Sequence, residues 1–210
     1  MLRRVLVAVL SFAAVVALAG GALWLFSPAT LKRFAYEGIG RDRWQQPERI
    51  VEALALAPGM RVADLGSGGG YFAWHFARVV GGSGRVYAAD VDADLNASVA
   101  ERAARDGLAQ VTTVLARFDD AKLPERVDLV FTCNTYHHIE DRVAYFTRLR
   151  ERYLTSGARL AVVDFLPEKF AHATDPALIE RELTQAGFRK VARHDFLERQ
   201  SFLVFAADAP

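Results

Sequence analysis

Val62 to Phe72 reads VADLGSGGGYF, and no other stretch restricts the fold as strongly. An apolar strand pattern closes on an acid, runs through Gly66, Gly68 and Gly70 at alternate positions, and continues as a helix pattern. Without a Cβ, glycine takes positive φ and lets a ligand lie against the chain at the carboxyl end of a strand, where open α/β sheets bind ligands. A glycine loop alone is equally compatible with a tight turn, so the flanking residues must discriminate. Asp64 stands two positions before Gly66 and places a carboxylate at the crevice, where it repels phosphate. Asp90 closes the next strand pattern, RVYAAD, twenty residues after Gly70, where a carboxylate can accept both hydroxyls of a ribose. The pair implies a ribose with a cationic group beside it. The G-x-G-x-x-G dinucleotide fingerprint fits worse, because Tyr71 stands at the third glycine position.

The rest of the chain repeats the strand and helix alternation. A short amphipathic helix begins at Pro47 with Ile50, Val51, Leu54 and Leu56 on one face, stopped by Ala57-Pro58-Gly59. Strands are predicted at Arg61 to Leu65, Arg85 to Asp90, Val111 to Leu115, Val127 to Cys133 and Arg159 to Phe165. Helices are predicted at Tyr71 to Val80, Asp94 to Asp106, Asp141 to Tyr153 and Pro176 to Ala186. Phe188 to Phe196 and Gln200 to Ala206 are separated by a hairpin-length connection, so this last pair is antiparallel. The fold class is α/β: a doubly wound, mostly parallel seven-stranded sheet with an antiparallel C-terminal hairpin strand at its edge.

Ahead of this lies a segment of different character. Residues 1 to 26 contain no acid and two basic side chains, Arg3 and Arg4, before an apolar run from Val5 to Phe26. As a helix rising about 1.5 Å per residue, that run spans roughly 33 Å, close to the thickness of a bilayer's hydrocarbon. It reads as a transmembrane anchor, or alternatively as a signal peptide cleaved after Ala17-Leu18-Ala19. Apolar character continuing to Phe26 and stopping at Ser27-Pro28 favours the anchor. Lys32, Arg33, Arg41 and Arg43 outnumber the charges before the run, which places the following domain in the cytoplasm; signal cleavage would instead give an exported protein. The expected organisation is an anchor or signal peptide at 1–26, a basic-aromatic linker and cap at 27–46, and the ligand-binding domain at 47–210. Balanced charge, 26 basic against 25 acidic residues, excludes a polybasic nucleic-acid binder, and a hydrophobic content of 52% excludes disorder. The lone Cys133 excludes an intrachain disulfide.

From about Trp44 to Ala207 the sequence resembles class I S-adenosylmethionine-dependent methyltransferases, whose first motif is an acid followed by G-x-G-x-G and whose second strand ends in an acid. The resemblance implies a Rossmann-like fold and S-adenosyl-L-methionine as cofactor. It assigns Asp64, Gly66, Gly68 and Gly70 to the methionine part of that cofactor, Asp90 to the ribose and Val91 to the adenine. An acid after the third strand is expected near the adenine amino group, and in FDDAKLP Asp119 is preferred to Asp120. VDLVFTCNTYHHIED resembles the active-site segment, with Asn134 leaving the strand beside the methionine moiety. Leu154 to Leu160 resembles the turn before the fifth strand, without the proline and second glycine of the L-x-P-G-G form. RDRWQQPERI resembles a segment that closes over the cofactor, which makes Trp44 and Gln45 capping candidates.

Methyl transfer from a sulfonium is an in-line displacement that chiefly needs a positioned acceptor and a dry site, and a base only for a protonated acceptor. His137 and His138 are the candidate catalytic bases, with a non-catalytic role as the alternative. A metal site from His137, His138, Asp141 and Asp164 is disfavoured, because adjacent side chains on one segment rarely converge on one ion. Phe72 and Phe76 read as core, Cys133 as strand interior, and His75, His172 and His194 as surface or packing residues. DNA adenine methylation is disfavoured by the absence of paired prolines after Asn134. A small-molecule or lipid-like acceptor fits the apolar N-terminus, which would hold the domain at a membrane. The alternatives are a nucleotide-cofactor oxidoreductase and a non-catalytic S-adenosylmethionine-binding protein.

Overall fold

The computed structural model describes residues 40–207. The apolar run Val5–Phe26 and the start of the linker lie outside the described residues. Among the described residues, no helix is long and apolar enough to cross a membrane. The helices are α1 (Arg41–Gln45), α2 (Pro47–Ala53), α3 (Tyr71–Val80), α4 (Ala93–Arg105), α5 (Arg142–Tyr153) and α6 (Pro176–Gln185). The strands are β1 (Arg61–Leu65), β2 (Arg85–Asp90), β3 (Val111–Leu115), β4 (Val127–Cys133), β5 (Leu154–Phe165), β6 (Phe188–His194) and β7 (Gln200–Ala207).

All seven strands form one sheet in the order β3-β2-β1-β4-β5-β7-β6. β1 pairs in parallel with both β2 and β4, while β7 pairs antiparallel with both β5 and β6. The chain winds outward from β1 to β3 and then returns to β4. The resulting switch point between β1 and β4 opens a crevice at the carboxyl ends of these strands. Alternating side chains feed two cores: Ala63 and Leu65 pack with Phe146, Leu149, Ile179 and Leu183 of α5 and α6. Val62 faces the opposite way, toward Ile50 of α2, Phe72 and Phe76 of α3 and Val99 of α4. Strands buried on both faces explain the near-continuous apolar runs from which they were predicted.

Phe72 and Phe76 lie one helical turn apart and pack against Phe131 of β4, with ring centroids 4.6 and 5.1 Å away. They are core residues, as the sequence implied. Phe146 anchors the other face, fully buried and stacked 5.3 Å from Tyr136. Phe146→Ala should cost about 3–5 kcal/mol of stability, read as a lowered urea midpoint with an unchanged slope.

Several bounds shift by one or two residues, and three features differ more from the sequence reading. β5 starts at Leu154 because Leu154 pairs with Val127, and the segment expected as a turn is a bulge around Gly157, at φ 76°. α2 ends at Ala53, where Ala55 adopts φ 47° before the expected Pro-Gly stop. The hairpin forms the sheet's edge as expected, but its antiparallel strand β7 lies inside and β6 is outermost. The burial pattern agrees: Gln200 to Phe205 are all buried, whereas β6 is largely open to solvent.

Candidate active site

The glycine loop joins β1 to α3 and is fastened to β2. The amides of Gly66 and Ser67 donate to the Ala89 carbonyl at 2.8 and 3.2 Å, and the Gly68 amide donates to Asp90 Oδ2 at 2.8 Å. Gly66, Gly68 and Gly70 have φ of 73°, 53° and 82°, a region costly for a side chain. A Cβ on Gly66 would lie 2.1 Å from Thr135 Oγ1, and one on Gly70 would lie 2.4 Å from the Trp74 ring. At these two positions the protein's own side chains demand glycine, beyond the positive φ and ligand access on which the sequence argument rests.

Asp64 is 2% exposed at the end of β1. Burial pushes its carboxyl up to about 7, against the opposing pull of the Arg41 guanidinium, and the charge of Asp90 adds to the rise. Its Oδ2 is buried without a hydrogen-bond partner among the described residues. Asp90 is half-buried and its Oδ1 accepts from the Asp92 amide at 3.0 Å. Val91, 42% exposed, follows it at the mouth. Asp120 commits its carboxylate to Tyr153, Lys122 and Arg152, while Asp119 projects from the same turn in an exposed ion pair with Arg117.

β4 leaves the sheet at Asn134, which holds φ 55°. Its amide donates to the Val163 carbonyl at 2.9 Å and its Oδ1 accepts from Gln200 Nε2 at 2.7 Å. A short 3₁₀ turn, Tyr136–His138, follows. Tyr136 is fully buried beneath the sheet, where its hydroxyl donates to Glu182 at 2.9 Å. His137 points elsewhere, its Nδ1 2.8 Å from Oδ1 of Asp164 at the end of β5. The His137 side chain is 4% exposed and that of Asp164 is fully buried. His138 is exposed, its ring centroid 4.1 Å from that of His137, and burial with the neighbouring imidazole holds its pKa below the usual value.

α1 covers the β4 and β5 ends. Gln45 is fully buried, accepts from Arg41 Nε at 2.6 Å, and donates to Gln200 Oε1 at 2.8 Å and to Cys133 Sγ at 3.1 Å. An unbroken side-chain path therefore runs from Arg41 through Gln45 and Gln200 to Asn134. Cys133 is buried as expected, and burial raises its thiol to about 11, so it stays a protonated strand residue. Trp44 stacks 6.0 Å from Phe165, Phe165 lies 5.6 Å from Phe170, and Phe170 lies 5.3 Å from His137. These rings make an aromatic wall beside the imidazole.

The structure thus gathers the glycine loop, Asp64 and Asp90 on one side and Asn134 and His137 on the other. The sequence reading missed Gln200, Thr135 and the pairing of Asp164 with His137. Asp164 carried a legible signal, since VVDF ends its strand in an acid as VADL and YAAD do. Gln200 carried none, because its partners lie far away in sequence.

Residues 62–157 match the profile of a methyltransferase domain. The chain is 31% identical over 119 residues to the ubiquinone/menaquinone biosynthesis C-methyltransferase UbiE of Cellvibrio japonicus, covering 55% of this chain and 47% of that protein. It spans about half the length of the curated relatives it matches. A SAM-dependent methyltransferase from Aquifex aeolicus shares the fold with a TM-score of 0.78 and 23% identity, over 87% of this chain and 100% of that one. Magnesium protoporphyrin IX methyltransferase from Synechocystis, solved with bound SAH, superposes with a TM-score of 0.67 and 18% identity, over 88% and 96% of the two chains. Residues 62–157 are thus similar to a methyltransferase domain, and the described residues share the fold of these solved methyltransferases.

Proposed function

We propose that this protein transfers a methyl group from S-adenosylmethionine to a small, flat, lipophilic acceptor. The carrying observation is the buried, unpartnered Asp64 Oδ2 beside the glycine loop. That oxygen has no hydrogen-bond donor among the described residues, and the ammonium of the methionine moiety is a chemically suitable one. Asp64, Gly66, Gly68, Gly70 and Asn134 would hold that moiety. Asp90 keeps lone pairs for ribose hydroxyls beside its bonds to Gly68 and Asp92, with Val91 and Asp119 toward the adenine.

When bound, the cofactor supplies an electrophilic methyl group on a sulfonium. The protein's part is placement and exclusion of water. The Gln45 and Gln200 amides fix Asn134 in its left-handed conformation and tie α1 to the strand ends. Trp44, Phe165 and Phe170 offer ring faces to a flat acceptor, and His137 or His138 stands at the same end as a base. UbiE's name describes a quinone-pathway C-methyltransferase, a chemistry compatible with such a wall. The apolar run Val5–Phe26 supports a single-pass anchor at 1–26, with 27–46 as linker and cap and the domain on the cytoplasmic side, where a lipophilic acceptor would be concentrated.

Calorimetry on the full chain should show binding of S-adenosylmethionine and S-adenosylhomocysteine but not NAD. Radiolabel from the methyl group should then enter a lipid extract or 1,4-naphthohydroquinone in preference to protein. Binding without transfer to any cell fraction would instead indicate a cofactor-binding protein without turnover.

A further inference from the structure

We infer that Asp164 is the positioning residue of a His137–Asp164 general-base pair, and that the methyl acceptor is accordingly a hydroxylated aromatic ring. This rests on the methyltransferase reading and deepens it.

Asp164 Oδ1 accepts from the Phe165 amide at 3.0 Å and lies 2.8 Å from His137 Nδ1. A carboxylate can only accept, so Nδ1 carries the hydrogen and the Nε2 lone pair is left to take a proton. Both side chains are enclosed, at 4% and 0% exposure, which fixes the ring and strengthens the pair. Asp164 Oδ2 has no partner among the described residues, so the carboxylate is not the hub of a wider structural network. The groups facing the imidazole are His138 on the same turn, Phe170 from the segment after β5, and Asp164 itself, while His172 lies against Phe170 and acts on His138. Beside the imidazole, Phe170 and Phe165 offer ring faces on which a flat acceptor ring can stack.

The hydroxyl proton of the acceptor passes to His137 Nε2, and the electron pair left behind forms the new bond to methyl carbon at oxygen or at a conjugated ring carbon. The carbon–sulfur bond breaks with its pair retained by sulfur. For attack through carbon, the ring hydrogen then moves to the oxygen and aromaticity returns. One proton is released overall, first held by His137.

Long-range proton–nitrogen NMR on the full chain labelled in histidine tests the pair directly, with His137→Gln assigning the resonances. The native ring should be the Nδ1–H tautomer, and Asp164→Asn should shift it toward Nε2–H. With 1,4-naphthohydroquinone as acceptor, His137→Gln should lose about 10²–10⁴-fold in kcat. Asp164→Asn should lose less, through kcat with the acceptor KM and the S-adenosylmethionine affinity unchanged in calorimetry. A merely structural aspartate would not change the tautomer together with kcat alone. A native Nε2–H tautomer, full turnover by His137→Gln, or cofactor binding without naphthohydroquinone turnover would overturn the inference. Failure of the native chain to bind S-adenosylmethionine would sink the methyltransferase reading itself, while the tautomer result still judges the pair.

Discussion

Gly66→Ala should destabilise the protein by about 2–5 kcal/mol and abolish cofactor binding at temperatures where the native chain is fully folded. Two independent costs combine. At φ 73° an alanine sits in the left-handed region, about 1–2 kcal/mol uphill. Its Cβ also meets Thr135 Oγ1, Cγ2 and Cβ at 2.1, 2.4 and 2.7 Å, an overpacking that typically costs about 1–3 kcal/mol. Thr135 cannot simply turn away, because its own Cβ is one of the clashing atoms and its Oγ1 bonds the Cys133 carbonyl at 3.2 Å. Thr135→Ala added to Gly66→Ala should restore part of the loss, since it removes two of the three contacts and leaves the backbone strain. Urea denaturation of the single and double variants measures this coupling. Additive losses would show that Thr135 does not press on the loop.

This contact also shows where the sequence was legible. The loop, its flanking acids and the alternation of strands and helices follow local rules, so β1 to β4 and α3 match their predicted bounds. The apolar runs declare strands buried on both faces; Asp92 and Asp175, which accept from amides of the first helical turn, are local cap signals that the sequence reading did not use. What failed depended on partners distant in sequence. Leu154 is a strand residue because Val127 pairs with it, and Gly157 lets the chain bulge back into register. The site divides in the same way. Asp64 and Asp90 are fixed by strand ends that can be read locally, whereas His137 acquires its orientation from Asp164, 27 positions later. Gln200 reaches Asn134 and Gln45 from the last strand, across separations of 66 and 155. Side chains that meet through topology leave no periodicity, and their roles emerge only when the sheet is assembled.

Cofactor affinity should depend on pH through Asp64 in the neutral range, where an ordinary surface carboxylate is ionised throughout and contributes no such dependence. Burial holds this carboxyl at about 7, so without ligand it is largely protonated at pH 6. An arriving ammonium favours the carboxylate, and binding below pH 7 must therefore expel a proton. Affinity should fall as pH is lowered, approaching about tenfold per pH unit well below the midpoint. Above about pH 8 the α-amino group of the ligand loses its own charge and affinity should fall again. Calorimetry in buffers of differing ionisation enthalpy reads the released proton directly. Asp64→Asn should remove both that proton and the acidic limb, and should weaken binding about 10–100-fold near pH 7.5, the range for losing a hydrogen bond between charged groups. The substitution should leave the fold intact, because Oδ2 makes no hydrogen bond among the described residues and an uncharged amide is easier to bury. A pH-independent affinity in the native chain would mean that the ammonium lies elsewhere, and that Asp64 is buried for reasons unrelated to the cofactor.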